Sequence, residues 1–160
     1  MKYILSLLFL IPTLLFSQQD FTVDVVNHSK VEKIEDRKVE FGVKENVEEF
    51  LINKGWMLNE KNSPELDIDS NGVVTPVSVH IEKIESPHRI LNIIGTKWLK
   101  KSYIVEVHIV VGTKHYVGVG KRNTFLFAAF LNVENDEVPL NRKAFSKALQ
   151  SSLETAIEQI

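Results

Sequence analysis

Two histidines and two glutamates in this chain stand at spacings that would bring them together on a β-sheet. Ser78, His80 and Glu82 alternate through one run of apolar residues, and Glu106 and His108 alternate through another. Side chains two residues apart share a strand face. If the two strands are neighbours in register, His80, Glu82, Glu106 and His108 gather at one place. Imidazole nitrogens with carboxylate oxygens suit zinc or another borderline divalent ion. Cross-strand Glu, His and Lys pairs on a wet sheet face are the simpler reading of the same residues. The run Asp67-Ile68-Asp69-Ser70-Asn71-Gly72 opens like a calcium loop, with oxygen donors at alternate positions and a glycine sixth. The loop fails further on, where Pro76 interrupts it and Ser78 stands in place of the closing glutamate. A tight turn explains those residues.

A different chemistry is offered by the stretch from Ser86 to Lys101. It is longer than a hairpin needs and rich in Ile and Leu, and long loops of this kind often carry function. Lys97, Trp98, Leu99, Lys100 and Lys101 set an aromatic anchor and an aliphatic residue among three cations. That composition fits contact with acidic groups of a partner protein or with lipid headgroups. The competing expectation is a flap in which Ile90, Leu91, Ile93, Ile94 and Trp98 fold back over the sheet edge and only the lysines stay wet.

Other chemistries find no support. Gly118-Val119-Gly120 lacks the third glycine and the helix start of a dinucleotide fingerprint, and glycines in a strand more simply allow a helix to approach closely or form a bulge. Lys114, Tyr116, Lys121 and Arg122 are too few for a nucleic-acid surface on a chain of net charge −2. No nucleophile elbow, metalloprotease helix or Ser-x-x-Lys pair is present, and Glu134, Asp136 and Glu137 lie in a polar stretch. The chain contains no cysteine, which excludes disulfides, thiolate metal sites and a lipid-modified N-terminal cysteine. The expectation is a non-catalytic protein without cofactor.

The elements that must position these residues begin after an export signal. One cation, Lys2, precedes an apolar run from Tyr3 to Phe16, and Ser17 precedes the polar Gln18-Gln19-Asp20. This is the order of a secretory signal peptide over residues 1–17, and the run falls short of the roughly 20 residues a spanning helix needs. Leu15 stands where a small residue is usual before cleavage, so an uncleaved anchor is the alternative. The signal's style points to a Gram-negative bacterial route and a periplasmic or secreted destination. In that setting Asn27-His28-Ser29 is an accidental glycosylation sequon. Residues 18–160 are enough for one domain.

Phe21 to Val26 alternates as a first strand, and the charged segment 30–38 is ambiguous. Val43, Val47, Phe50 and Leu51 recur at helical spacing before Gly55, which predicts a helix over about 40–54. Strands are predicted at 66–69 and 77–84 around the Ser70-Asn71-Gly72 turn. Residues 103–111 and 115–120, joined by Gly112-Thr113-Lys114, form the strongest strand pair. From a predicted Asn141 N-cap, Phe145, Ala148, Leu149, Ser152, Leu153, Ala156, Ile157 and Ile160 make a continuous apolar stripe over a helix at 142–159. The run Phe125 to Leu131 reads equally as a buried strand or a short buried helix.

The class is therefore α+β: an antiparallel sheet of about four to six strands with both helices packed on one face and a largely polar opposite face. This element order resembles small periplasmic α+β domains of bacterial envelope machinery, such as the N-terminal domain of the Tol-system propeller protein and the lipopolysaccharide-assembly lipoprotein plug. Those domains bind partner proteins, so the resemblance implies a binding role and transfers no residue. The expected function is to bind an envelope protein or the membrane surface through residues 86–101, with Phe125 to Leu131 as a further contact. The alternative is a divalent-metal protein using His80, Glu82, Glu106 and His108.

Overall fold

A computed structural model describes residues 20–59, 74–127 and 140–160. The N-terminal apolar run, the strand predicted at 66–69 with the Ser70-Asn71-Gly72 turn predicted after it, residues 128–131 and the acidic stretch after them lie outside the described residues.

The chain opens with β1 (Asp20–Asn27), a short hairpin of β2 (Lys33–Ile34) and β3 (Arg37–Lys38), and α1 (Val43–Asn53). Helix α1 ends as the sequence predicts. Gly55 takes φ 89°, its N–H bonds Ile52 O at 2.8 Å, and the Trp56 N–H reaches back to Leu51 O at 3.1 Å. These bonds satisfy the carbonyls that a helix end leaves open. After β4 (Met57–Leu58) come β5 (Thr75–Glu85), β6 (His88–Ile93), β7 (Thr96–Val111) and β8 (Lys114–Phe127), and α2 (Arg142–Ile157) closes the order. Asn141 caps α2, its side-chain oxygen accepting from Ala144 N at 2.9 Å. Such a cap contributes about 1 kcal/mol.

The chain is α+β, but its six-stranded sheet is mixed, which corrects the antiparallel expectation. β1 lies parallel to both β4 and β5, whereas β5, β6 and β8 all pair antiparallel with β7. The reason is α1. A strand, a helix and a return strand form the crossover that parallel neighbours require, whereas a hairpin can join only antiparallel ones. β7 is the long strand of the sheet. Along one edge it pairs first with β6 and then with β5, and along the other it pairs with β8 from Trp98 to Val111.

Alternate residues turn inward on β1 (Phe21, Val23), β5 (Val77, Val79, Ile81) and β7 (Tyr103, Val105, Val107, Ile109). They share one core with the apolar stripes of α1 and α2. Each fully buried aliphatic or aromatic side chain stabilises this core by roughly 1.5–3 kcal/mol. The two helices also touch directly, Lys54 Nζ donating to Ile157 O at 2.7 Å.

The segment 86–101 is not a loop. After a break at Ser86-Pro87 it forms β6, reverses at Ile94-Gly95 and returns as the first part of β7. Both turn residues have positive φ, 50° and 75°, the pattern of a type I′ hairpin. β8 extends alongside as far as Phe127, so Phe125 to Phe127 are strand. Among the described residues, no helix is long and apolar enough to cross a membrane.

Candidate functional site

The β6–β7–β8 end of the sheet continues past the helix-covered core as a three-stranded tip. Pairing across the strands sets its rows. On the face turned away from the core, Arg89 lies opposite Lys100 with Phe125 beyond it. The next row towards the turn is Leu91, Trp98 and Phe127. Trp98 meets Phe127 edge to face at 5.7 Å between centroids, and Lys100 Nζ sits 5.8 Å from the Phe125 ring centre. On the other face Ile90 and Leu126 flank Leu99. Ile90, Ile93, Phe125, Leu126 and Phe127 are all exposed, and Ile94 at the apex is 98% exposed.

Three features of this tip are locally unfavourable, and they occur together. A β-branched residue with positive φ is a backbone outlier, costing roughly 1–2 kcal/mol, and Ile94 is one. Like charges directly opposite each other destabilise a sheet, and Arg89 faces Lys100. Large apolar side chains lie open to water on both faces. Residues that conflict with local rules tend to mark functional sites.

The charge of the region is equally one-sided. Residues 86–105 and 121–127, which make up this end of β6, β7 and β8, carry Arg89, Lys97, Lys100, Lys101, Lys121 and Arg122 and no acid, although the whole chain is at −2.

Of the five contact residues predicted from sequence, three remain available at the surface. Lys97 is exposed, and Trp98 and Lys100 are half-buried. Leu99 is 0% and Lys101 3% exposed, because both point to the inward face of β7. They are withdrawn from surface contact. Burial holds the Lys101 ammonium below the usual lysine pKa. The flap expectation also fails, since Ile90, Ile93 and Ile94 do not fold back. The outward face carries Asp24, Ser78, His80, Ser102, Glu106, His108, Lys121 and Asn123, and Val117, Val119, Phe125 and Phe127 are exposed there among them.

The four predicted metal ligands are divided into two pairs by a β-bulge. β5 and β7 are neighbours, and His80 lies directly opposite His108. The register then slips between Ile81 and Lys83, so Lys83 takes the place opposite Glu106 that regular pairing would give Glu82. Lys83 Nζ bonds Glu85 at 2.7 Å, and this bond, then the charge of Glu85, raises the lysine pKa, with a smaller contribution from Glu106. Glu106 turns to His108, 3.0 Å from its Nε2. His80 and Glu82 are left facing β1, where His28 joins them. One ligand atom from each of His28, His80 and Glu82 lies within 4.8 Å of the others.

Sequence reasoning passed over His28 as a ligand and Ile94 as a turn residue, whereas Phe125 to Phe127 fall within the contact it named at Phe125 to Leu131. His28 was hidden because only the parallel β1–β5 pairing brings it to His80. Ile94 was hidden because isoleucine is the wrong residue for the turn it makes.

No family model matches this chain, and no curated protein matches it. Among solved structures it is similar to the hypothetical protein CT253 from Chlamydia trachomatis, at 10% identity and a TM-score of 0.41, over 89% of this chain and 93% of that one.

Proposed function

We propose that this is an exported, non-catalytic protein of the cell envelope that binds an anionic membrane surface through the β6–β7–β8 tip. The observation that carries this reading is Ile94: a fully exposed isoleucine in a left-handed turn position that Asn or Gly would fill without strain.

The shape of the tip favours a bilayer over a protein partner. A protein interface is built around one face with a buried centre. Here apolar residues lie on both faces of a narrow hairpin and at its apex, which is the form of a wedge. Interfacial elements bury their apolar parts about 5–10 Å into the headgroup boundary. With roughly 3.3 Å per residue, Trp98 stands about 10 Å from Gly95. Ile93 and Ile94 would then enter first, Trp98 and Phe127 would sit at headgroup depth, and Arg89 and Lys100 would meet phosphates from behind. Each cation held near an anionic surface contributes about 1 kcal/mol. Two helices packed on one face of the sheet would leave the opposite face of the tip uncovered, in keeping with this reading.

Sedimentation with vesicles tests this. The chain beginning at Gln18 is expected to pellet with phosphatidylcholine vesicles containing phosphatidylglycerol, weakly with phosphatidylcholine alone, and less as salt is raised. Failure to pellet with either would remove the membrane reading, and a single protein crosslinked to Trp98 in the native envelope would replace it.

A further inference from the structure

His28, His80 and Glu82 lie on the outward side of the sheet, separated from the tip by the Ser86-Pro87 break, and they belong to a different chemistry. We propose that they bind one divalent transition ion of the zinc class, through His28 Nε2, His80 Nδ1 and a Glu82 carboxylate oxygen. This is independent of membrane binding.

The geometry carries the assignment. His28 Nε2 and His80 Nδ1 are 3.0 Å apart, with ring planes 9° from parallel and 5.2 Å between centroids, so the two nitrogens face each other almost end to end. Without an ion, one ring donates its N–H to the other nitrogen. With both nitrogens unprotonated, a turn of each ring by roughly 40° lets both lone pairs meet one ion at the usual Zn–N distance of about 2.0–2.1 Å. Two imidazoles and one carboxylate with open positions form a recurrent ligand set for such ions.

The backbone fixes all three donors. Past the end of β1, the His28 N–H bonds Ile81 O at 3.0 Å, holding its ring beside β5. The next residues are locked by Asn27, whose Oδ1 accepts from Ser29 N at 3.0 Å and whose Nδ2 donates to Val31 O at 2.9 Å. The bulge turns Glu82 away from β7 and towards the two rings. Bulges commonly re-aim a side chain at functional sites. His108 lies across from His80, but its ring is engaged by Glu106 at 3.0 Å, which leaves it outside the set. His28 is exposed and His80 and Glu82 half-buried, so an ion can enter from solvent and water can complete its coordination.

The test is calorimetric titration of metal-stripped, tag-free chain with zinc chloride alone, with ring-nitrogen NMR of the bound form. The expected result is one zinc per chain, with His28→Ala and His80→Ala each weakening binding by about 100-fold or more and Glu82→Gln by about 10-fold. His115→Ala, which alters another exposed histidine, should leave affinity unchanged. NMR should place the metal on Nε2 of His28 and Nδ1 of His80. Circular dichroism identifies any variant that has lost its fold, and for such a variant the NMR assignment on the unaltered chain decides. The inference is overturned if the unaltered chain takes up no zinc, if His28→Ala binds as tightly as it does, or if zinc settles on other histidines.

Discussion

Replacing Gly118 or Gly120 with alanine should destabilise the protein by about 3 kcal/mol or more per site, and replacing both should leave α2 undocked. β8 and α2 approach at the level of their backbones. A methyl group at Gly118 would overlap the Ser152 carbonyl oxygen and stand 2.8 Å from Ala156 N. At Gly120 it would overlap the Ala148 carbonyl oxygen and stand 2.7 Å from Ser152 N. Side chains can rotate away from an intruding methyl, but a helix backbone cannot. The helix would have to lift along its length, loosening Phe145, Leu149, Leu153 and Ile157 from the core they share with β7. Neither glycine has positive φ, so the loss would come from the contact and not from backbone strain. Urea denaturation followed by circular dichroism measures it, and a loss below about 1 kcal/mol would mean that α2 does not seat this closely.

Exchange of Ile94 for asparagine should move two properties in opposite directions. Asparagine tolerates the left-handed conformation and forms the favoured Asn-Gly turn with Gly95, so the fold should gain about 1 kcal/mol. The apex loses its apolar side chain, worth roughly 1.5–3 kcal/mol when buried in lipid, so affinity for anionic vesicles should fall about 10-fold or more. A purely structural role for Ile94 predicts no such opposition. Urea midpoints and vesicle titration of the same preparation give both readings. If Ile94→Asn binds as well as the unaltered chain, the wedge is not the contact.

The elements whose signals are local were legible in the sequence. Periodicity placed α1 and α2 within a few residues, Gly55 and Asn141 marked their ends, and Gly118-Val119-Gly120 was readable as a site of close helix approach. Pairing was not legible in the same way. Whether β1 lies beside β5, and in which direction, depends on how α1 crosses the sheet, and no residue of β1 encodes it. His28 therefore looked like part of a chance sequon. The bulge after Ile81 was equally silent, because Glu82 and Lys83 are ordinary strand-surface residues whose identities do not reveal a slipped register. The tip was misread for the opposite reason. Its residues contradict local rules, an isoleucine standing where a turn calls for Asn or Gly, and a hairpin consequently read as a long loop.

The same geometry bears on how an uncleaved N-terminal segment would act. Asp20 begins β1 near Thr75, by the β7–β8 turn, at the end of the sheet remote from Ile94. Along β7 that separation is about 50 Å at roughly 3.3 Å per residue. A chain held at a membrane by its N-terminus, standing upright, would therefore carry the tip away from that membrane.

The chain has two tryptophans, and Trp56, half-buried at the margin of the core, packs edge to face on Phe21, far from the tip. A Trp56→Phe variant thus reports from Trp98 alone. Added to anionic vesicles, it is expected to show a blue-shifted emission that lipids brominated near the headgroup quench more strongly than lipids brominated deep in the acyl chains. An unshifted, unquenched Trp98 on vesicles that nevertheless bind the protein would contradict membrane contact through the tip.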